Sequence, residues 1–311
     1  MSHIRRARVL KRLFAVVSVL GATVLLEQSR PAAFPEFRGR LGLAASETAE
    51  HYALPITPPL DQGDSGLCWV FAALSMLETN YLARHPDSDI ELSRAALQLE
   101  SIEDRFARRI RGEPAKLEEG GLSVEALDLI RRRGVIARSD FHGVVDSDPI
   151  FSLIEGKLAR AEGAADKLQA LDSELKSRLG ETPEVTHLDG RALSPDALAK
   201  AVVGGHEWVE YDLSRDGAEG FGPSKDPDAR PDTRVYYAKR DRLIELIHRS
   251  LARGQAVVAG TPDHAFVIYG GDYASDGRPL SYLIKDSLAP FLNRESAEEL
   301  HRDLNDVTAG Y

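Results

Sequence analysis

The chain has 311 residues, 43% of them hydrophobic and 28% charged, with a formal net charge of −10. That length and apolar content suffice for one large core or two smaller lobes and exclude a disordered chain. The acidic balance excludes a nucleic-acid binder that works through overall basic charge, and a single cysteine excludes an intrachain disulfide framework.

Positive charge gathers at the front. "MSHIRRARVLKR" holds five Arg/Lys and no acid, and the uncharged stretch "LFAVVSVLGATVLL" follows at residues 13–26. Fourteen residues make a helix of about 21 Å, short of the roughly 30 Å of a bilayer core. A basic start and a short apolar run are the layout of an export signal. Residues 1–30 are therefore expected to be a signal peptide or an uncleaved signal anchor, touching the membrane through residues 13–26. Residues 31–53, which mix Pro, Gly, Ala and charge without a period, are expected to be a linker. The body, residues 54–311, is then exported, either periplasmic or secreted, or held at the membrane.

From Cys68 onward Phe71, Leu74, Leu77 and Tyr81 recur at helical spacing, which puts Cys68 in the first turn of a helix. Further helices are expected over residues 91–110 and 123–135, the latter with Ser123 as N-cap and Gly134 as stop. Residues 151–235 read as a charged, loop-rich excursion, with helical composition over 152–180, a short Ser-Pro helix at 194–205 and a loop at 217–234. An amphipathic helix is expected over 240–254. The period then changes from 3.6 to 2, and "AVVAG", "AFVIYG" and "SYLIKD" read as strands. Helices first and strands last predict an α+β protein with a helical lobe against a β lobe.

Cys68 sits in "DQGDSGLCWVFAAL". A helix N-terminus stabilises a thiolate, which makes this sulfur a candidate nucleophile that needs a base, an orienting group and oxyanion donors. Of nine histidines only His264 opens a strand, in "PDHAFVIYG", a position more often structural than catalytic. A hairpin centred near Ser275 sets His264 opposite Asp286 on one face. Asp286 then either orients the ring or simply ends its strand in a turn. Gln62, six residues before Cys68, carries a side-chain amide that can donate to an oxyanion alongside the Cys68 N–H, though a Gln in such a segment is usually a turn residue.

"QGDSGLCW", the Gly pair of "EEGGLS", "DHAFVIYG" and "YLIKDS" occur in an order that resembles the papain-like cysteine peptidases, nearest to their bleomycin hydrolase/aminopeptidase C branch. "ELSRAALQLESIEDR", "GGLSVEALDLIRRRGVIARSDF", "LSPDALAKAVVGGHEWVEYDL" and "IELIHRSLARGQAVVAG" extend the resemblance from about Leu54 to Pro290. It implies a two-lobed α+β fold with the active-site cleft between a helical N-terminal lobe and an antiparallel sheet lobe. It implies Cys68 as nucleophile, His264 as general base and acid, Asp286 in the place of the family asparagine, and Gln62 at the oxyanion. Gly121 and Trp69 take the substrate-binding positions. Leu288 stands where the family has a tryptophan, and Ser65 where many secreted members have a disulfide cysteine.

The expected function is a cysteine peptidase acting on peptides or proteins through a Cys68 thioester. The alternatives are a catalytically weak peptide-binding module and a Cys-His-Asp acyltransferase of transglutaminase type. No metal or cofactor motif occurs: there is no H-E-x-x-H, no paired CxxC, no EF-hand loop and no phosphate-cradling glycine loop.

Overall fold

The computed structural model describes residues 50–141, 148–226, 229–289 and 291–310. The expected export segment, its membrane contact at residues 13–26 and most of the expected linker lie outside them. Among the described residues no helix is long and apolar enough to cross a membrane.

The last four residues of the expected linker form strand β1, Glu50–Ala53. Helix α1, Cys68–Leu82, follows and is buried on every side except at its first and fourth residues. A helix apolar all round is a core element, not a surface one. Helix α2, Arg94–Ile110, is capped by the Ser93 hydroxyl, which accepts from the Ala96 N–H. Helix α3, Ser123–Arg133, ends at Gly134, whose φ of +85° suits glycine. A Cβ there would also come within 2.6 Å of Pro195. Ser123 is not the cap expected of it. Leu122 holds that position without a side-chain bond, and Ser123 Oγ instead donates to the Trp69 carbonyl at 3.4 Å.

The excursion expected over residues 151–235 is more built than its charge suggested. Helices α4, Asp148–Leu158, and α5, Gly163–Leu179, bury Phe151, Ile154, Leu171 and Leu175 against Ile102 and Phe106 of α2, a second core of their own. Strands β2, Thr186–Leu188, and β3, Arg191–Leu193, make a small hairpin ahead of helix α6, Pro195–Val203, which the Ser194 hydroxyl caps. Strand β4, Trp208–Leu213, enters the main sheet. Strand β5, Gly220–Pro223, lies inside the expected loop and pairs with β6, Arg234–Ala238. Burial under charged residues hid β4, whose Glu210 is 2% exposed, while the Gly and Pro content of Gly220–Pro223 reads as a loop.

From residue 240 on, one helix and three strands follow the predicted pattern, while the last three elements were not predicted from the sequence. Helix α7, Arg240–Ala252, precedes strands β7, Val257–Thr261, β8, His264–Tyr273, β9, Pro279–Lys285, and β10, Leu292–Ser296. Helix α8, Ala297–Asp303, and strand β11, Asp306–Gly310, complete the fold. The sheet runs β10-β9-β8-β7-β11-β4-β6-β5, antiparallel except for the parallel β4–β6 pair. β8 is its longest strand: β7 pairs along its first half, and β1 along its second.

Cross-strand partners share a face. One row, Lys285–Val267–Val258–Thr308–Glu210, turns toward the helical half: Lys285 lies 3.8 Å from Glu78 of α1, and Glu210 accepts from the Val124 N–H of α3 at 3.0 Å. The opposite face meets α7 and α8, where the Tyr282 hydroxyl lies 2.7 Å from His248 Nε2 and 2.8 Å from His301 Nε2. One continuous core joins α1, α3, α6 and α7 to the sheet.

Candidate active site

Cys68 is the first residue of α1 and is partly exposed. A first helical residue has no intrahelical acceptor for its own N–H, so a donor and the positive end of the helix dipole accompany the sulfur. α1 lies along β8 and β7, which brings the sulfur to the start of β8. There His264 Nε2 meets Asp286 Oδ1 at 2.7 Å, each side chain 20% exposed. The Cys68 side chain also acts on this ring, and with Nε2 taken by Asp286 it is Nδ1 that remains available to the sulfur.

These contacts set the charge of the ring. The Asp286 hydrogen bond first, and the nearby Cys68 side chain second, raise His264 from 6.5 to about 9 against the opposing effect of burial. The ring is therefore an imidazolium at neutral pH.

The predicted pairing of His264 with Asp286 is reached by a different register. The β8–β9 ladder centres on Asp276, one residue later than expected, with Val267 opposite Lys285. Asp286 has already left the strand, and its N–H donates to the Phe291 carbonyl. A two-residue offset preserves the face, so the carboxylate still reaches the ring, on the diagonal. Asp286 Oδ1 also accepts from the Leu288 N–H at 2.9 Å. Leu288 itself is 39% exposed beside the pair.

Gln62 stands in a tied loop. Its N–H donates to the Ser287 carbonyl at 3.0 Å, its Nε2 donates to the Ser65 carbonyl at 2.6 Å, and the Ser287 hydroxyl donates to its Oε1. One amide hydrogen remains without an acceptor among the described residues. Ser287 thus links the loop before the thiol to the residue after Asp286, a role the sequence does not reveal, although its place in "KDS" beside the candidate carboxylate was the available signal.

Gly66 N–H donates to Glu119 Oε2 at 2.6 Å, which fastens the same loop to the segment carrying Gly121. Trp69 is 2% exposed. Its indole N–H donates to the Glu119 carbonyl, and its ring lies where a Cβ on Gly121 would be, 2.9 Å away. The indole is thus backing for Gly121, not a surface for substrate as expected, because a side chain this enclosed has no free face.

A second set of charges braces the site from within. Glu78 of α1 accepts from Arg94 Nη2 at 3.0 Å, from the Leu92 N–H at 2.7 Å and from Thr57 Oγ1 at 2.6 Å. Lys285 donates to the same threonine at 2.6 Å. Burial alone would raise Glu78, but Arg94, Lys285 and the Leu92 N–H hold it below the usual carboxylate range. Among the described residues no group of His, Cys, Asp or Glu is arranged to hold a metal ion.

Among solved structures the chain is similar to PepW from Lactobacillus rhamnosis HN001, with a TM-score of 0.67 at 17% identity over 85% of this chain and 82% of that one. It also matches a structure from work on the mite allergens Blo t 1 and Der p 1, with a TM-score of 0.44 at 13% identity over 88% of this chain and 74% of that one. A third match is xylellain, a cysteine protease from Xylella fastidiosa, with a TM-score of 0.34 at 15% identity over 82% and 86% of the two chains. No protein-family model and no curated protein matches the chain. The architecture is the papain-like α+β fold, helices packed against a largely antiparallel sheet.

Proposed function

We propose that the chain is a cysteine peptidase that hydrolyses peptide bonds in peptides or proteins. One observation carries this reading: a partly exposed sulfur at a helix N-terminus acts on an imidazole whose Nε2 a carboxylate holds at 2.7 Å. A nucleophile, a base and an orienting acid in that order are what acyl transfer requires.

In the proposed cycle the Cys68 thiolate attacks the scissile carbonyl carbon. The oxyanion accepts from the Cys68 N–H and from the remaining Nε2 hydrogen of Gln62. His264, charged at neutral pH, passes its Nδ1 proton to the leaving amine, and a thioester remains. The neutral ring then takes a proton from water, which attacks the thioester and releases the acid. Asp286 fixes the ring throughout and favours its charged form. The basic residues before residue 13 and the apolar run at 13–26 support action outside the cytoplasm.

The test is Cys68→Ala in the full chain. Turnover of a fluorogenic peptide pool should vanish, as should labelling by iodoacetamide at pH 5.5, while the thermal melt stays within a degree or two of wild type. Equal turnover in both proteins would end the reading.

A further inference from the structure

Helix α2 carries Arg105 and Arg108 three residues apart, so their side chains are neighbours on one face. Beside them, Ala115 and Lys116 from the loop after α2 and Ala229 and Arg230 from the loop ahead of β6 close a cavity of about 10 Å³. That is room for a single water-sized guest. Four cations and no carboxylate line it.

The acids that balance these cations stand outside the walls and hold the outer ends of the side chains. Arg108 donates from Nη1 to Asp232 at 3.2 Å and from Nη2 to the Pro114 carbonyl at 3.4 Å. Arg230 donates from Nη2 to Asp128 at 2.9 Å, and Lys116 pairs with Glu118 at 3.1 Å. One N–H is left over on each of two arginines. Nε of Arg108 and Nε of Arg230 are buried and have no hydrogen-bond acceptor among the described residues. Glu113 lies 3.7 Å from the first, and Glu125 and Asp232 lie 3.9 and 4.0 Å from the second, all beyond hydrogen-bond reach.

A buried charged donor without an acceptor is costly. Burial also lowers Arg105 from its ordinary value, in spite of Glu125 and Glu118. A water in the cavity would accept from both donors but would have to place its own hydrogens among like charges. An anion accepts from both and donates nothing, and its hydrogen bonds are charge-assisted. The same wall reaches toward the proposed cleft. Arg105 Nη1 donates to the Lys116 carbonyl at 3.3 Å, its Nη2 donates to the Gly120 carbonyl, and its guanidinium lies 5.9 Å from the centre of the Trp69 ring that backs Gly121.

We propose that this cavity binds a monatomic anion of the chloride class through the Nε hydrogens of Arg108 and Arg230, and that the bound ion anchors residues 115–121 against α2. Arg105 and Lys116 supply further positive charge. The volume is too small for phosphate, sulfate or a carboxylate. The site stands whether or not the chain hydrolyses peptides, because no residue of the proposed catalytic cycle lines it.

Two measurements on the full chain test it. Chloride exchanging with a protein site broadens the chlorine-35 NMR line. The chain in dilute sodium chloride should broaden that line; added bromide should narrow it by competition, and phosphate at equal ionic strength should not. Arg108→Lys keeps the charge and removes the Nε donor, and it should lose at least half of the broadening, as should Arg230→Lys if the first variant folds poorly. Amide hydrogen exchange over residues 115–121 should slow at least threefold in sodium chloride relative to sodium gluconate of the same ionic strength, and it should not slow in Arg108→Lys. No broadening, or equal broadening in wild type and Arg108→Lys, would mean that the cavity holds water only and would overturn the site. Phosphate competing as well as bromide would overturn the assignment to a monatomic anion, and equal exchange in chloride and gluconate would overturn the anchoring.

Discussion

Replacing Asp286 by asparagine isolates the charge on the far side of the imidazole while keeping an oxygen that accepts from Nε2. Charges about 4 Å apart interact by about 4 kcal/mol at an effective dielectric of 20 and by about 1 kcal/mol in bulk water. The His264–Asp286 pair is 20% exposed on each side, so the loss falls between these limits, at about 2 kcal/mol. That corresponds to about one and a half units. The wild-type midpoint near 9 should therefore move to about 7.5 in Asp286→Asn. Proton NMR of the imidazole Hε1 resonance across pH 5–10 measures both midpoints without requiring turnover. The stability consequence has a definite sign. A raised histidine contributes fully below its unfolded value of about 6.5 and loses that contribution as pH rises through about 9. The wild-type advantage in melting temperature over Asp286→Asn should thus be largest near pH 6 and shrink toward pH 10. Identical NMR midpoints in the two proteins would refute the argument that the carboxylate charge holds the ring protonated.

Gln62→Ala should lower kcat by about 10²-fold with KM nearly unchanged, the behaviour of a donor used only as the oxyanion forms. Ser287→Ala should give a smaller fall in kcat of the same kind, because it loosens the glutamine without removing it; steady-state kinetics on one peptide decides both. Glu78→Ala leaves Arg94 and Lys285 facing each other in the interior, so urea unfolding should show a loss of about 3–5 kcal/mol. Phe151→Ala, which opens the α2–α4–α5 core, should cost about 3 kcal/mol by the same measurement. It should leave kcat/KM unchanged at a temperature where the chain is folded.

Periodicity carried the first and last thirds of the body. Apolar residues at helical spacing after Cys68 mark α1, and alternating Val, Ile and Tyr mark β7, β8 and β9 because those strands bury ordinary core side chains. The middle was harder to read for an electrostatic reason. Glu210, Glu125 and Glu174 are buried in places where hydropathy predicts solvent. Each is answered by a group from another element: Glu125 by the Arg230 N–H and Thr233, Glu174 by Lys157 (with Arg178 one turn along its own helix), and Glu210 by the start of α3. The same distance effect hid the true cap of α3, supplied from β4 and not by Ser123. At the candidate site, Cys68 and His264 were singled out by local context as candidates. Ser287 and the burial of Trp69 were not, since both depend on which loops the fold brings together.

The Thr57–Glu78–Lys285 cluster couples two pieces of chain that are remote in sequence: the helix that bears the thiol and the strand that delivers Asp286. Both are fastened to a single interior anion, so sliding one past the other would strip Lys285 of its counter-charge in a place without water. Alignment of the proposed catalytic pair and global unfolding thereby share one failure point. A variant that misplaces the sulfur relative to the ring through this joint should also melt early, whereas damage confined to the Gln62 loop should silence the chain while leaving it thermally robust.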